Sequence, residues 1–173
     1  MTTIEYLEKQ YSHAFDMIKF GETKNATLIA FNGAIVIGMA KVANDTSLLI
    51  LKYFLCYVAA MCIISIFVGF SSLIAKIKDS PGNISLHKND NMLFFATLAH
   101  MTHEELIEKI NNKYGCESIN TKHEYDLARQ VIITSQIAAR KFKLFNIAIA
   151  FTFCGLLTPL SLIVYKAFMD HDK

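Results

Sequence analysis

His100, His103 and Glu104 come nearest, in this chain of 173 residues, to the spacing that site chemistry demands. Two imidazoles three positions apart on one helix can share a metal ion, and His123 or Cys116 would then have to complete the shell. No HExxH pattern and no paired CxxC accompanies them, so the group reads as surface histidine near a helix start, and no metal site is expected. Nucleophile and phosphate signatures are missing too: the chain holds no GxSxG elbow, no Walker loop and no GxGxxG turn. Its long apolar stretches contain no acidic residue that could relay protons. The pattern argues against an enzyme and against an ion-coupled transporter, and no catalytic residue is assigned.

The other chemistry on offer is polar and small residues inside apolar sequence. Ala26, Ala30, Ala34 and Gly38 recur every fourth position, a stripe that permits close helix approach in lipid. Ser65 and Gly69 form a shorter counterpart. Asn32 lies within the same apolar run as the alanines, where an unpaired amide is costly and usually finds an interhelical hydrogen bond. Two readings stay open for this set: packing within the chain, or a contact between copies or a polar point in a conducting path. Pro159, after Thr158, is expected to kink its helix and act as a hinge.

The elements that must carry these residues follow from the partition of charge. Residues 26–43, 48–75 and 144–168 are nearly free of charge, and each meets the roughly 17–25 residues a helix needs to cross about 30 Å of hydrocarbon. Hydrophobic residues make up 53% of the chain, above the ordinary share for a soluble domain. Between Val58 and Phe70 no polar stripe appears beyond Ser65, which argues against a soluble bundle. The expected fold class is all-α: an integral membrane protein with three transmembrane helices and a helical cytoplasmic segment. A charged stretch of about 25 residues precedes the first span with no clean cleavage site after it, so the span is expected to remain in the mature protein.

Lys9, Lys19 and Lys24, Lys76 and Lys78, and Arg140, Lys141 and Lys143 flank the spans and place their segments inside by the positive-inside rule. Lys41, Lys52 and Lys166 lie near span ends and can snorkel. The N-terminus is expected in the cytoplasm, with the C-terminus outside. Cys56, Cys62 and Cys154 fall in spans and Cys116 in the cytoplasmic segment, so no disulfide framework is implied. A net charge of +2 gives no reason to expect nucleic acid.

The resulting organisation is a cytoplasmic amphipathic N-terminal helix over 1–25, a transmembrane hairpin over 26–76, a cytoplasmic helical segment over 77–143, a third transmembrane helix over 144–169 and a short outer tail over 170–173. Ile4, Leu7, Tyr11, Ala14 and Ile18 make a three-four seam in the first segment, opened by a capping box of Thr2 with Glu5. Asp79 to Asn83 reads as a turn, and 92–101 as an interfacial or buried helix of about ten residues, too short to span. Thr102 with Glu105 caps a helix carrying Leu106, Ile107, Ile110 and Tyr114 on one face and ending at Gly115. Thr121 with Glu124 begins another, with Leu127, Val131, Ala138 and Phe142 on its apolar face, that runs unbroken into the third span. Such a helix would carry a rearrangement at its cytoplasmic end into the membrane as tilt or rotation.

Glu22, Thr23, Lys24, Asn25 and Ala26, followed by Leu28, Ile29, Ala30, Phe31 and Asn32, resemble the pattern of the bacterial Pycsar transmembrane effectors: an acidic residue, a lysine two later, and a Phe-Asn pair in the first membrane helix. Glu22 stands where an aspartate is expected. Asn91, Leu93, Phe94 and Phe95, with Tyr114 further on, resemble that family's second motif. The resemblance implies an antiphage effector of the inner membrane, activated by cyclic CMP or cyclic UMP from a partner pyrimidine nucleotide cyclase, that impairs membrane integrity and causes death or arrest of the infected cell. The residues themselves are compatible with it: no catalytic site, spans whose small-residue stripe favours a homo-oligomer, and a cytoplasmic helical module joined to a membrane rod. A phosphodiester ligand needs cations and its base an aromatic or polar pocket, for which Lys24, Lys88, Arg129 and Arg140, with Tyr114 and Tyr125, are the candidates. The segment lacks the strand patterns of a β-roll, so any pocket is expected to be helical. The competing readings are a non-catalytic adaptor recruiting a partner through the Ile4 to Ile18 seam, and a small passive channel.

Overall fold

The computed structural model describes residues 2–74, 91–116 and 121–171, with side chains through Thr158 and at Ser161. Five helices follow in order: α1 (Thr3–Asp45), α2 (Leu49–Leu73), α3 (Phe95–Leu98), α4 (His103–Tyr114) and α5 (Lys122–His171). No strand occurs among the described residues, and the all-α class stands. Three of the helices, α1, α2 and α5, are long and apolar enough to cross a membrane.

Local chemistry accounts for the ends. Thr2 Oγ1 accepts from the Glu5 N–H at 3.3 Å while Glu5 Oε2 accepts from the Thr2 N–H at 3.1 Å, the reciprocal box that opens α1. No proline interrupts α1, which continues through its glycines and through Asn44 to end at Asp45, before the non-helical residues Thr46 to Leu48. Thr102 and Glu105 form the same box at α4, and Gly115, at φ +60°, ends that helix in the left-handed conformation only glycine adopts cheaply. Thr121 Oγ1 accepts from Glu124 N–H at 3.3 Å at the start of α5. The backbone of α5 stays helical through Pro159.

The segment 92–101 departs from the expected helix. Asn91 Oδ1 accepts from Leu93 N–H at 2.9 Å and fixes a turn, and Thr102 must be extended to cap α4. Only the single turn of α3 fits between. Burial is as expected even so: Met92, Leu98 and Met101 are fully enclosed.

The chain divides into two compact units, Met1–Glu22 with Ala75–Phe142, and Thr23–Ile74 with Lys143–Lys173. In the first, Leu7 from α1, Met92, Leu98 and Met101, Leu106 and Ile110 from α4, and Ala128 and Val131 from α5 form one apolar core. The face that α1 buries differs from the expected seam. Leu7 and Ala14 lie in it, but Tyr11 is 38% exposed and Gln10, at 5%, takes the inner position. Thr3, Tyr6, Leu7, Gln10, Ala14 and Gly21 are the buried residues of α1 in this unit, with Ile4 and Ile18 half-buried.

The second unit differs chiefly in its surface. Phe31, Ile37, Phe67, Phe70, Phe153 and Leu157 are exposed, while Asn25, Asn32, Ser65, Ser72 and Thr152 are buried beside Leu55, Val58 and Cys62. A surface of that kind suits an apolar medium, and a buried amide or hydroxyl is stable only with a partner.

Candidate functional site

Partners are what the buried polar groups of the second unit have. Asn32 Nδ2 donates to Ser65 Oγ at 2.9 Å and to Thr152 Oγ1 at 3.0 Å, so α1, α2 and α5 meet at one polar node. Ser65 Oγ in turn donates to the carbonyl of Ala148 at 2.7 Å. A second bond, Asn25 Nδ2 to Ser72 Oγ at 3.0 Å, joins α1 to α2 seven residues away along α1. Close approach makes these reaches possible. A Cβ on Gly69 would lie 2.9 Å from Ile29 Cγ1, and one on Gly155 2.8 Å from Met61 Cβ. Ser65 and Gly69 therefore do line a helix contact.

The alanine stripe does not join this packing: Ala26, Ala30, Ala34 and Gly38 are all exposed, on the side of α1 away from Asn25 and Asn32. Asn32 is thus separated in space from the stripe it was grouped with.

The first unit contains a cavity of about 590 Å³, within the roughly 300–1,000 Å³ of small-ligand sites. Buried Tyr6, Gln10 and Cys116 form its floor, and exposed Lys9, His13, Leu93 and Tyr114 its rim. Tyr6, Lys9, Gln10 and His13 come from one face of α1 because they recur at three and four positions. Tyr114, on the last turn of α4, stacks on Tyr6 with ring centroids 5.1 Å apart and planes at 28°. Gln10 Oε1 is sealed from solvent without a hydrogen-bond partner among the described residues. Burial, reinforced by the Tyr114 hydroxyl, holds the Tyr6 phenol above its ordinary pKa, with the Gln10 side chain pulling the other way.

Of the six ligand candidates, the structure places Tyr114 on this cavity. Lys24 lies over the Phe145 ring at 5.4 Å in the other unit, Tyr125 meets His103 edge-on at 6.0 Å, Arg129 is exposed and Arg140 half-buried on α5. Lys88 lies outside the described residues. Lys9, Gln10 and His13 went unrecognised as site residues. Their spacing with Tyr6 was visible, but nothing in one sequence marks which polar face of a helix borders a cavity.

The motif residues also acquire places. Glu22 pairs with Lys141 of α5 at 3.1 Å, and the lysine side chain is 6% exposed against 50% for the glutamate. Asn91 fixes the turn before α3, Phe95 packs on Phe142 at 5.4 Å, and Phe94 on Phe95 at 5.0 Å. Phe31 is exposed beside buried Asn32. Among the described residues no group of three His, Cys, Asp or Glu side chains stands close enough to hold a metal ion.

Neither the curated proteins nor the solved structures offer a match to this chain. The Pycsar effector protein domain does match, over residues 6–167, so that it takes in nearly all of both units and of the three apolar helices. A match of that extent, on a chain with three membrane-length helices, identifies it as a membrane protein of antiphage defence that belongs to the Pycsar effector family.

Proposed function

We propose that the chain is the membrane-acting output of a cyclase-linked defence system. A cyclic pyrimidine mononucleotide, cyclic CMP or cyclic UMP, made by the partner cyclase during infection, activates it. The activated protein impairs the inner membrane, and the infected cell dies or stops growing. The observation that carries this reading is the family match over residues 6–167. No bond is made or broken by the chain itself: its role is non-catalytic, and the nucleotide acts by favouring one conformation over another.

Two further observations support the reading. Helices α1 and α5 each run unbroken through residues of both units, so a ligand that moves their ends in the first unit has a mechanical route into the second. The stripe Ala26, Ala30, Ala34 and Gly38, exposed in one copy, offers the flat surface that helices in lipid use to associate, which favours a homo-oligomer. With the lysines of the flanking segments held inside, the N-terminus is cytoplasmic and the C-terminus outside.

The test is dye entry and membrane potential in cells that express the chain, measured with and without cyclic CMP or cyclic UMP supplied. Leakage and depolarisation are expected with nucleotide alone. Leakage that is the same in both conditions overturns the gating, and permeability that never changes points to the adaptor.

A further inference from the structure

Gln10 lies on the buried face of α1 with its carbonyl oxygen sealed from water and paired with nothing described, an arrangement that destabilises the fold. Leucine at this position would pack in the same seam without that penalty. Gln10 borders the cavity together with Tyr6 and Cys116, and of these three it alone carries an amide.

The cavity's other residues have complementary chemistry. Tyr114, stacked on Tyr6 and 42% exposed, offers aromatic surface at the rim, where a further planar ring can stack. Lys9 and His13, one helical turn apart on α1, line the same rim with their side chains exposed. A lysine ammonium supplies charge-assisted donors to an anionic oxygen, and the imidazole adds another N–H. Leu93 gives an apolar patch beside them. A ligand that satisfies all of these is a planar ring with an N–H donor on its edge, joined to a single anionic group, and small enough for about 590 Å³.

We propose that this cavity, wholly within the first unit, is the receptor site of the chain: Gln10 accepts a hydrogen bond from the edge of a nucleobase, Tyr114 stacks on its face, and Lys9 with His13 holds the phosphodiester. Naming the ligand rests on the reading above, because cyclic CMP and cyclic UMP both fit that description. Cytosine presents its exocyclic amino group to Gln10, and uracil its ring N–H. Reaching the sealed carbonyl requires the Gln10 side chain to turn toward the cavity. Gln10 and Tyr6 belong to α1 and Tyr114 to α4, so an occupied site ties these two helices together through one molecule.

The experiment is equilibrium binding of cyclic CMP and of cyclic UMP to the full chain in detergent or nanodiscs, together with thermal melts. The wild type is compared with Gln10→Leu, Lys9→Ala and, as a control in the second unit, Lys52→Ala. Expected is a loss of affinity of about tenfold or more for Gln10→Leu and Lys9→Ala, with Lys52→Ala within about twofold of the wild type. Gln10→Leu is also expected to melt higher than the wild type without ligand, because it removes the unpaired acceptor; a merely structural glutamine would melt lower when replaced. If the wild type binds a nucleotide and both Gln10→Leu and Lys9→Ala bind as tightly, the site assignment is overturned while the nucleotide reading survives. If the wild type binds neither nucleotide, the reading and this assignment fall together. Should Gln10→Leu not fold, Lys9→Ala decides, since an exposed rim lysine is replaced without disturbing the core.

Discussion

The two units of this chain differ in their surfaces more than in their interiors. The first encloses Leu7, Met92, Leu106 and Val131, with Gln10 and Ser135 among them, and leaves Lys9, Glu8 and Arg129 outside; the second encloses Leu55, Val58 and Cys62, with Asn32, Ser65 and Thr152 among them, and leaves Phe31, Phe67 and Phe153 outside. In water, burying apolar surface is the driving force, so core leucines hold the first unit together. In hydrocarbon the lipid tails are as apolar as any side chain, and helices associate through close fit and hydrogen bonds instead. Each unit therefore tolerates the loss of different residues, and a polar residue that would be a defect in one is a fastener in the other.

The largest effect should separate the units outright. Leu106→Ala is expected to cost about 2–5 kcal/mol, seen as lost hydrogen-exchange protection in α4, because it empties a fully enclosed position. Phe67→Ala, a bigger truncation on α2 at 70% exposure, should change protection by no more than about 0.5 kcal/mol in lipid. Equal losses at the two sites would end the comparison.

Within the second unit, shape should matter where area does not. Gly155→Ala is expected to destabilise by about 1–3 kcal/mol, since its methyl would press on Met61 Cβ. Gly33→Ala on α1, where nothing lies within 4 Å, should stabilise by about 0.5–1 kcal/mol through helix propensity alone. Melting temperatures that shift in the same direction for both would show that the helices are not held by close fit.

Hydrogen bonding at the node comes next. Thr152→Val keeps the shape but removes the hydroxyl that Asn32 contacts, at a cost of about 0.6–1.7 kcal/mol. Asn32→Leu should still insert into membranes, as judged by protease protection of the flanking segments, if the amide serves contact rather than insertion.

The smallest effect belongs to the first unit at high pH. Because burial raises the folded-state pKa of Tyr6, the unfolded phenol ionises first, so the folded form holds its proton longer. That contribution is complete below the unfolded tyrosine value of about 10 and is lost as pH rises above it toward the higher folded value. Tyr6→Phe should flatten this part of the stability curve in hydrogen exchange of α4, and an unchanged slope would remove Tyr6 as its source.

Much of the scaffold was legible from local signals. Thr102, Glu105 and Gly115 bounded α4 because capping is chemistry between near neighbours, and the length of the apolar runs announced α1, α2 and α5. The expected helix over 92–101 failed because Asn91 and Thr102, just outside the apolar run, each claim backbone for a turn or cap. The expected seam of α1 is met at Leu7 and Ala14 and missed at Tyr11, because apolar spacing favoured the tyrosine whereas the fold encloses Gln10. Candidate cations were chosen by type, and Lys24, Arg129 and Arg140 are not among the residues that line the cavity beside Tyr114.

By itself, then, the sequence determined the all-α class, three membrane-length helices, the caps that end the shorter ones and, through short motifs, the family, since each depends on composition or on residues within a turn of one another. Tertiary structure alone decided that Asn32 of α1 meets Ser65 of α2 and Thr152 of α5, that Glu22 reaches Lys141, and that Tyr114 closes over Tyr6 beside Gln10. These pairings join residues up to 120 positions apart. Which faces of two helices meet is set by how every side chain between them packs, and no periodicity within either helix records it.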